Sequence, residues 1–285
     1  MKLAKLNVAG QSRLVAVVQG KYLDLAAIDP SLPTCLKALL AAGDGLSRAA
    51  AAVARGTATG PWVEGTLGMP FPAPGKLICI GLNYRDHAIE SNAPIPEEPI
   101  CFSKFATAIG GPGSDVPLPP VCTQIDYEAE LVVVIGKGGK KIAAADAMSH
   151  VAGYMNGNDV SARDWQLNKP GKQWLLGKTP DGFAPVGPWL VTADEVPNPH
   201  DLAIELTLNG VKMQSSRTKE LIFNIPQIIA YLSQIITLSP GDLIFTGTPP
   251  GVGMARKPPV FLKPGDLMEV SIEGLGTLTN RCVAG

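Results

Sequence analysis

The chain predicts an α+β protein with one large curled sheet and a small N-terminal α+β domain, and three observations carry that prediction. It is 285 residues long and 46% hydrophobic, enough for a sizeable core and for one large domain beside a small one. Its 31 Gly and 26 Pro favour many short strands over a helical bundle. Its strand-like segments do not alternate regularly with helices, which argues against a doubly wound parallel sheet.

Taken in order, residues 13–28 ("RLVAVVQGKYLDLAAI") read as two short strands about "QGK", a hairpin. Residues 34–55 read as helical with a break at "GDG". A proline-rich connector, "GPWVEGTLGMPFPAPGK", places a boundary near residue 72, giving domains 1–72 and 73–285. Beyond it come strands at "KLICIG", "ELVVVIG", "AIELTLNG", "DLIFTG" and "DLMEVSIEGLG", with helices expected at "AAADAMSHVA" and "IPQIIAYLSQI". The formal net charge is −1 and no basic stripe is present, so no nucleic-acid partner is expected. No apolar run reaches the ~18 residues of a membrane helix, and the first twenty residues lack the apolar core of a signal peptide. Five cysteines, an odd number without a CxxC pair, suit reduced thiols in a cytoplasm.

The stretch "DYEAELVVVIGKG" places Asp126, Glu128 and Glu130 at alternate positions before a β-branched run. Alternate strand residues share a face, with Glu128 and Glu130 roughly 7 Å apart at the Cα. Spacing alone leaves two readings open, a solvated strand end or a site for a divalent cation. In "GYMNGNDVSARDWQ", Asp159 follows turn formers; it is either an N-cap or a third oxygen ligand beside Glu128 and Glu130. Three carboxylates suit Mg²⁺ or Mn²⁺, and no Cys or His is placed for zinc. In "NYRDHAIE", His87 and Glu90 are neighbours if the segment is helical, as a surface ion pair or as a proton-transfer pair. Lys178 in "LLGKTPDG" is either a surface lysine or a cation facing an anion; with Lys172 where a first glycine would be needed, the segment is not a phosphate loop. "FTGTPPGVG" is a tight turn whose N–H groups and hydroxyls could hold a carboxylate. His150 and His200 read as structural. No GxSxG elbow appears, against a serine hydrolase.

In this order, "GLNYRDHAIE", "FSKFATAI", "DYEAELVVVIG", "GNDVSARDWQ", "WLLGKTPDGFAPVGPW" and "GDLIFTGTPPGVG" closely resemble the fumarylacetoacetate hydrolase family over roughly residues 76–283. The resemblance implies a mixed β-sheet roll, a homodimer and a Mg²⁺ or Mn²⁺ ion on Glu128, Glu130 and Asp159. It implies His87 and Glu90 as the acid/base pair and Lys178 as an active-site cation. Contacts to a small 2-oxo carboxylic acid fall on Arg163, Gln166, Thr248 and Lys104, while Asp126 is left to local hydrogen bonding. The ion would act as a Lewis acid on the 2-oxo acid and stabilise an enolate. Hydrolysis of an acylpyruvate-type C–C bond stands first. The alternatives are decarboxylation or tautomerisation of oxaloacetate and other lyase or isomerase chemistry on a 2-oxo acid or ureidoglycolate. A non-catalytic carboxylate-binding protein is the rival class, but simple binding needs no proton-transfer pair. Residues 85–99, with Pro94, Pro96 and Pro99, are expected to form a marginal, mobile lid that carries His87 and Glu90.

Overall fold

The computed structural model describes residues 1–58 and 60–285. Strand Ala129–Ile135 lies at the centre, and its residues are buried on both faces. Leu131, Val133 and Ile135 enter one hydrophobic cluster while Val132 and Val134 enter another. A strand covered on both sides needs no polar alternation, which is why "LVVVI" is continuous. Antiparallel neighbours flank it: Val151–Asn158 on one side and Leu243–Phe245 on the other. Leu243–Phe245 then runs parallel to Leu77–Gly81, and Ile100–Lys104 closes that edge. In the opposite direction the sheet continues from Val151–Asn158 through Ala184–Thr192 to Lys2–Val8, Gln11–Val18, Lys21–Asp24 and Trp62–Val63.

A second sheet has five strands in the order Val211–Arg217, Ala203–Leu208, Leu267–Ile272, Gly276–Ala284 and Asp115–Leu118. Its inward residues Ile204, Leu206, Val270, Ile272 and Leu278 share the cluster of Leu131 and Val133. The result is the α+β, mixed β-sheet roll.

The hairpin expected in 13–28 forms between Gln11–Val18 and Lys21–Asp24, turning at Gln19 (φ 50°) and Gly20 (φ 78°). The helical stretch resolves into Leu36–Ala41 and Gly45–Gly56, with the break where "GDG" placed it. Ile225–Ile235 is a helix; Asn224 and Gln227 form a reciprocal cap at its start, and Pro226 sits in its first turn. The helix expected over "AAADAMSHVA" is not formed. Only a 3₁₀ turn, Ala147–His150, precedes strand Val151–Asn158. The His150 carbonyl accepts the N–H groups of Gly136 and Lys137, capturing the chain at the sheet before a helix can extend. The boundary near 72 falls in irregular chain, but hydrogen bonding runs across it: Leu3 pairs with Leu190. Leu3, Leu14 and Leu39 also share a cluster with Val132 and Phe245.

Candidate active site

The register of the two central strands builds the site. Ala129 lies opposite Asn158, so the start of one strand meets the end of the other. Asp159 N donates to the Glu128 carbonyl at 2.9 Å, and Glu128 N donates to Asn158 Oδ1 at 2.9 Å. Glu128, Glu130 and Asp159 thereby present oxygens that all lie within 4.8 Å of one another, and all three residues are buried. The solvated strand end is ruled out, and Asp159 caps no helix.

Three buried cations surround the trio. Lys178 Nζ donates to Glu128 Oε2 at 2.7 Å and to Asp159 Oδ2 at 2.8 Å. Lys104 Nζ lies 2.5 Å from Asp159 Oδ1 and donates to the carbonyl of Val160 at 2.9 Å. Arg163 donates from its Nη2 to Glu128 Oε1 at 2.7 Å, from Nε to Asp126 Oδ2 at 2.9 Å and from Nη1 to Gln166 Oε1 at 3.0 Å. Asp126 also accepts the backbone N–H of Gly253 at 2.6 Å and of Tyr127 at 2.9 Å. It stands outside the trio and orders its surroundings, as expected. Arg163 and Gln166, which sequence assigned to substrate, are engaged with Asp126, Glu128 and each other. Lys178 reaches the trio because Gly177 lets its helix, Trp174–Lys178, lie against Arg163–Asn168. A Cβ on Gly177 would stand 2.6 Å from Gln166 N.

The electrostatics separate the acids. Burial alone would raise Glu128, but Lys178 and Arg163 hold its carboxyl down to about 2. Glu130 forms no ion pair among the described residues: burial, then Asp159 and Glu128, push it well above the ordinary 4.5, against the more distant Lys178 charge and one N–H donated by Gly247 at 2.6 Å. Burial works against the Lys178 ammonium, yet Asp159 and Glu128 outweigh it and raise its pKa. Lys104 goes the other way, its charge disfavoured by burial more than Asp159 restores it. Asp126, Glu128, Glu130 and Asp159 thus face Lys104, Arg163 and Lys178, four buried carboxyls against three buried cations. The surplus acid is Glu130, and a dication at the trio would compensate it. The all-oxygen donor set fits Mg²⁺ or Mn²⁺.

His87 and Glu90 lie on the short helix Arg85–Glu90. His87 Nδ1 is 3.0 Å from Glu90 Oε2, so the proposed pair is formed. Both Glu90 oxygens also accept the Gly251 N–H, at 2.9 and 3.1 Å. Asn83 anchors the entry to this helix, donating to the carbonyls of Thr246 and Phe223 and accepting from Phe223 N. The turn 246–251 therefore spans the two groups, with Gly247 on Glu130 and Gly251 on Glu90. Between them Thr248 Oγ1 accepts from Gln214 Nε2 at 2.8 Å. Sequence reading did not single out Gln214; its partners lie 34 and 85 residues away, and no local pattern marks it.

A roll of this topology with a sealed ExE–Asp trio and a His–Glu pair defines an enzyme of the fumarylacetoacetate hydrolase family, and the chain belongs to that family. The family's domain, described as fumarylacetoacetate (FAA) hydrolase C-terminal, matches residues 76–283. A mitochondrial oxaloacetate tautomerase of Bos taurus is 51% identical over 265 residues, covering 93% of this chain and 84% of the relative. A fumarylacetoacetate hydrolase domain-containing protein 2 homolog of Dictyostelium discoideum is 48% identical over 287 residues, covering 96% of this chain and 94% of its own. Among solved structures, the fumarylacetoacetate hydrolase of psychrophilic Exiguobacterium antarcticum superposes with a TM-score of 0.87 at 34% identity over all of both chains. Maleylpyruvate hydrolase from Sphingobium sp. SYK-6, solved with manganese(II) and pyruvate, gives 0.82 at 30% identity, again over all of both chains. Among the described residues no helix is long and apolar enough to cross a membrane. The bovine relative is named as mitochondrial, which does not fit a plain cytoplasmic expectation.

Proposed function

We propose that this protein is a divalent-metal-dependent enzyme that interconverts the keto and enol forms of oxaloacetate or a closely similar 2-oxo acid. The observation that carries the reading is the buried Glu128–Glu130–Asp159 trio with Lys178 against it, bridged by one turn to a formed His87–Glu90 pair. Sequence analysis placed hydrolysis of an acylpyruvate C–C bond first. The half-identical relative named oxaloacetate tautomerase supports the alternative instead, and the maleylpyruvate hydrolase, at 30% identity, keeps C–C hydrolysis as the second reading.

Glu128, Glu130 and Asp159 would hold Mg²⁺ or Mn²⁺. When bound, the ion supplies Lewis acidity toward the carboxylate and keto oxygens of a 2-oxo acid. The chain's own groups then manage one proton. Glu90, fixed by the Gly251 N–H, engages His87 Nδ1 and leaves Nε2 to take a proton from C3 or return it there. Tautomerisation moves that proton between C3 and the C2 oxygen and breaks no C–C bond, so it needs no activated water. Lys178, kept charged by Asp159 and Glu128, adds positive potential where the C2 oxygen gains charge. Thr248, at the bridging turn, offers a hydroxyl to a substrate carboxylate.

A panel assay tests this. With Mg²⁺ or Mn²⁺, keto–enol exchange of oxaloacetate, followed by enol absorbance, should exceed the buffer rate and fall to it with EDTA. Faster cleavage of acetylpyruvate or fumarylpyruvate than exchange of oxaloacetate would replace the reading with hydrolysis. We further propose a homodimer built by residues 76–283; a monomer by light scattering at micromolar concentration counts against it.

A further inference from the structure

We propose that Gln214 is a positioning residue that locks the metal-holding strand to the turn that faces substrate. It lies on Val211–Arg217, an edge strand of the five-stranded sheet. The register slips there: Leu206 pairs with Gln214 but Thr207 with Lys212, leaving Met213 as the extra residue of a bulge. Bulges re-aim side chains and recur beside active sites. Here the bulge turns Gln214 inward, where it is 1% exposed.

Every hydrogen bond of its side chain lands on the site. Its Oε1 accepts the N–H of Ala129, the residue between Glu128 and Glu130, at 2.8 Å. Its Nε2 donates to Thr248 Oγ1 and to the Pro249 carbonyl, both at 2.8 Å. The amide is thus read in one orientation only, acceptor to the strand and donor to the turn. The bulge also seats the end of the turn. Gly251 (φ +100°) lies so close that a Cβ would stand 2.1 Å from the Met213 carbonyl. Arg256 donates to that same carbonyl and, at 3.3 Å, to the carbonyl of Gly251. Because Gly251 N holds Glu90, one side chain and one bulge set Thr248 and Glu90 in register with Glu128 and Glu130. A carboxylate or thioether of similar length would fill the space without the same pairing. This role rests on the proposed function only where turnover is read; its structural readouts stand without it.

Gln214→Glu keeps the acceptor for Ala129 and replaces the two donations to the turn with at most one. The expected result is amide exchange over residues 246–252 faster by about tenfold, with Mn²⁺ affinity held within about threefold. If oxaloacetate is the substrate, kcat should fall by about tenfold in the same variant. Gln214→Met also strands the Ala129 N–H and should weaken Mn²⁺ binding by about tenfold. Should the Gln214 variants fail to fold, Thr248→Val removes the same hydrogen bond from the other side, and exchange over the turn should again rise. A lower melting temperature with exchange raised evenly along the chain, and kcat unchanged, would overturn the proposal in favour of a merely structural role. Wild-type Mn²⁺ affinity in Gln214→Met would equally overturn it. A wild type inactive on oxaloacetate, with turn exchange still tied to Gln214, would sink the function and leave this inference standing.

Discussion

The side chains of Glu128 and Asp159 keep 9% and 0% of their surface in water and Glu130 is buried, whereas those of His87 and Glu90 keep 13% and 25%. The first group sits where the start of one central strand meets the end of the other, with three buried cations against it. The second sits on six residues of helix whose start is tied by Asn83, by Arg85 to the Leu221 carbonyl and by Asp86 to Ser216, and whose end is held by one backbone N–H on Glu90. The trio's charges interact at low effective dielectric, so its energetics are large and fixed by the fold. The pair's are small and set by local order. A metal-dependent proton transfer needs both: a site that tolerates excess negative charge only when a cation arrives, and a base that can meet and release substrate.

The sharpest break of this contrast is Glu130→Ala. It removes the one acid of the trio without a cationic partner and should weaken Mg²⁺ or Mn²⁺ binding by about a hundredfold or more while leaving the fold intact. Equal affinity in calorimetry would show the metal site to be misassigned. Next in size is Lys178→Met. Turnover should fall by about a hundredfold. Metal affinity should hold or tighten, because Glu128 and Asp159 lose a competing cation. Unchanged turnover would reduce Lys178 to a structural counter-ion.

A pH measurement separates the two acids of the ExE pair in protein stripped by EDTA. Glu130 is raised above 4.5 in the folded chain, so folding takes up a proton there, and stability falls as pH rises from 4.5 toward the raised value. One proton limits the slope to about 1.4 kcal/mol per pH unit. Glu128 works oppositely: held at about 2, its contribution is complete above 4.5 and is lost only on acidification toward 2. Denaturant melts from pH 5 upward should therefore show stripped protein losing stability relative to metal-loaded protein. Parallel curves would mean that Glu130 is ionised without metal.

What sequence could and could not reveal follows the same division. The ExE spacing is legible because strand alternation is local, though only the family resemblance joined Asp159 to it, and Leu131–Ile135 reads as buried from its β-branched run. The strand beside it is not, since "VAGYMNGN" contains two glycines and two asparagines, poor strand formers. Packing demands those glycines: a Cβ on Gly153 would stand 2.0 Å from the Val191 carbonyl, and one on Gly157 2.4 Å from Val132. Ala184–Thr192 hides likewise behind Pro185, Gly187 and Pro188. The pairing of Arg163 with Asp126 and Glu128, and of Gln214 with Ala129 and Thr248, depends on three-dimensional register, which no window of the chain encodes.

The smallest expected effect tests the exposed side of the contrast. Glu90 touches His87 and Gly251 but none of the trio's buried cations, so Glu90→Ala should lower turnover by about tenfold and leave metal affinity unchanged. The same residue joins the helix to the turn. Residues 91–99 beyond it contain Pro94, Pro96 and Pro99 and cannot extend the helix. A six-residue helix is marginal alone, and Ile89, on its outer side, is 80% exposed. We expect its far end to open and close as a lid, with Glu90–Gly251 as the latch and the bonds of Arg85 to Leu221 and of Asp86 to Ser216 as the fixed side. Hydrogen exchange with metal, with and without oxalate, reads the latch directly: oxalate should protect residues 85–95, and Glu90→Ala should abolish most of that protection. Exchange there that ignores oxalate, in an enzyme that keeps full turnover as Glu90→Ala, would leave His87 and Glu90 as a surface ion pair and return the proton transfer to some other group at the site.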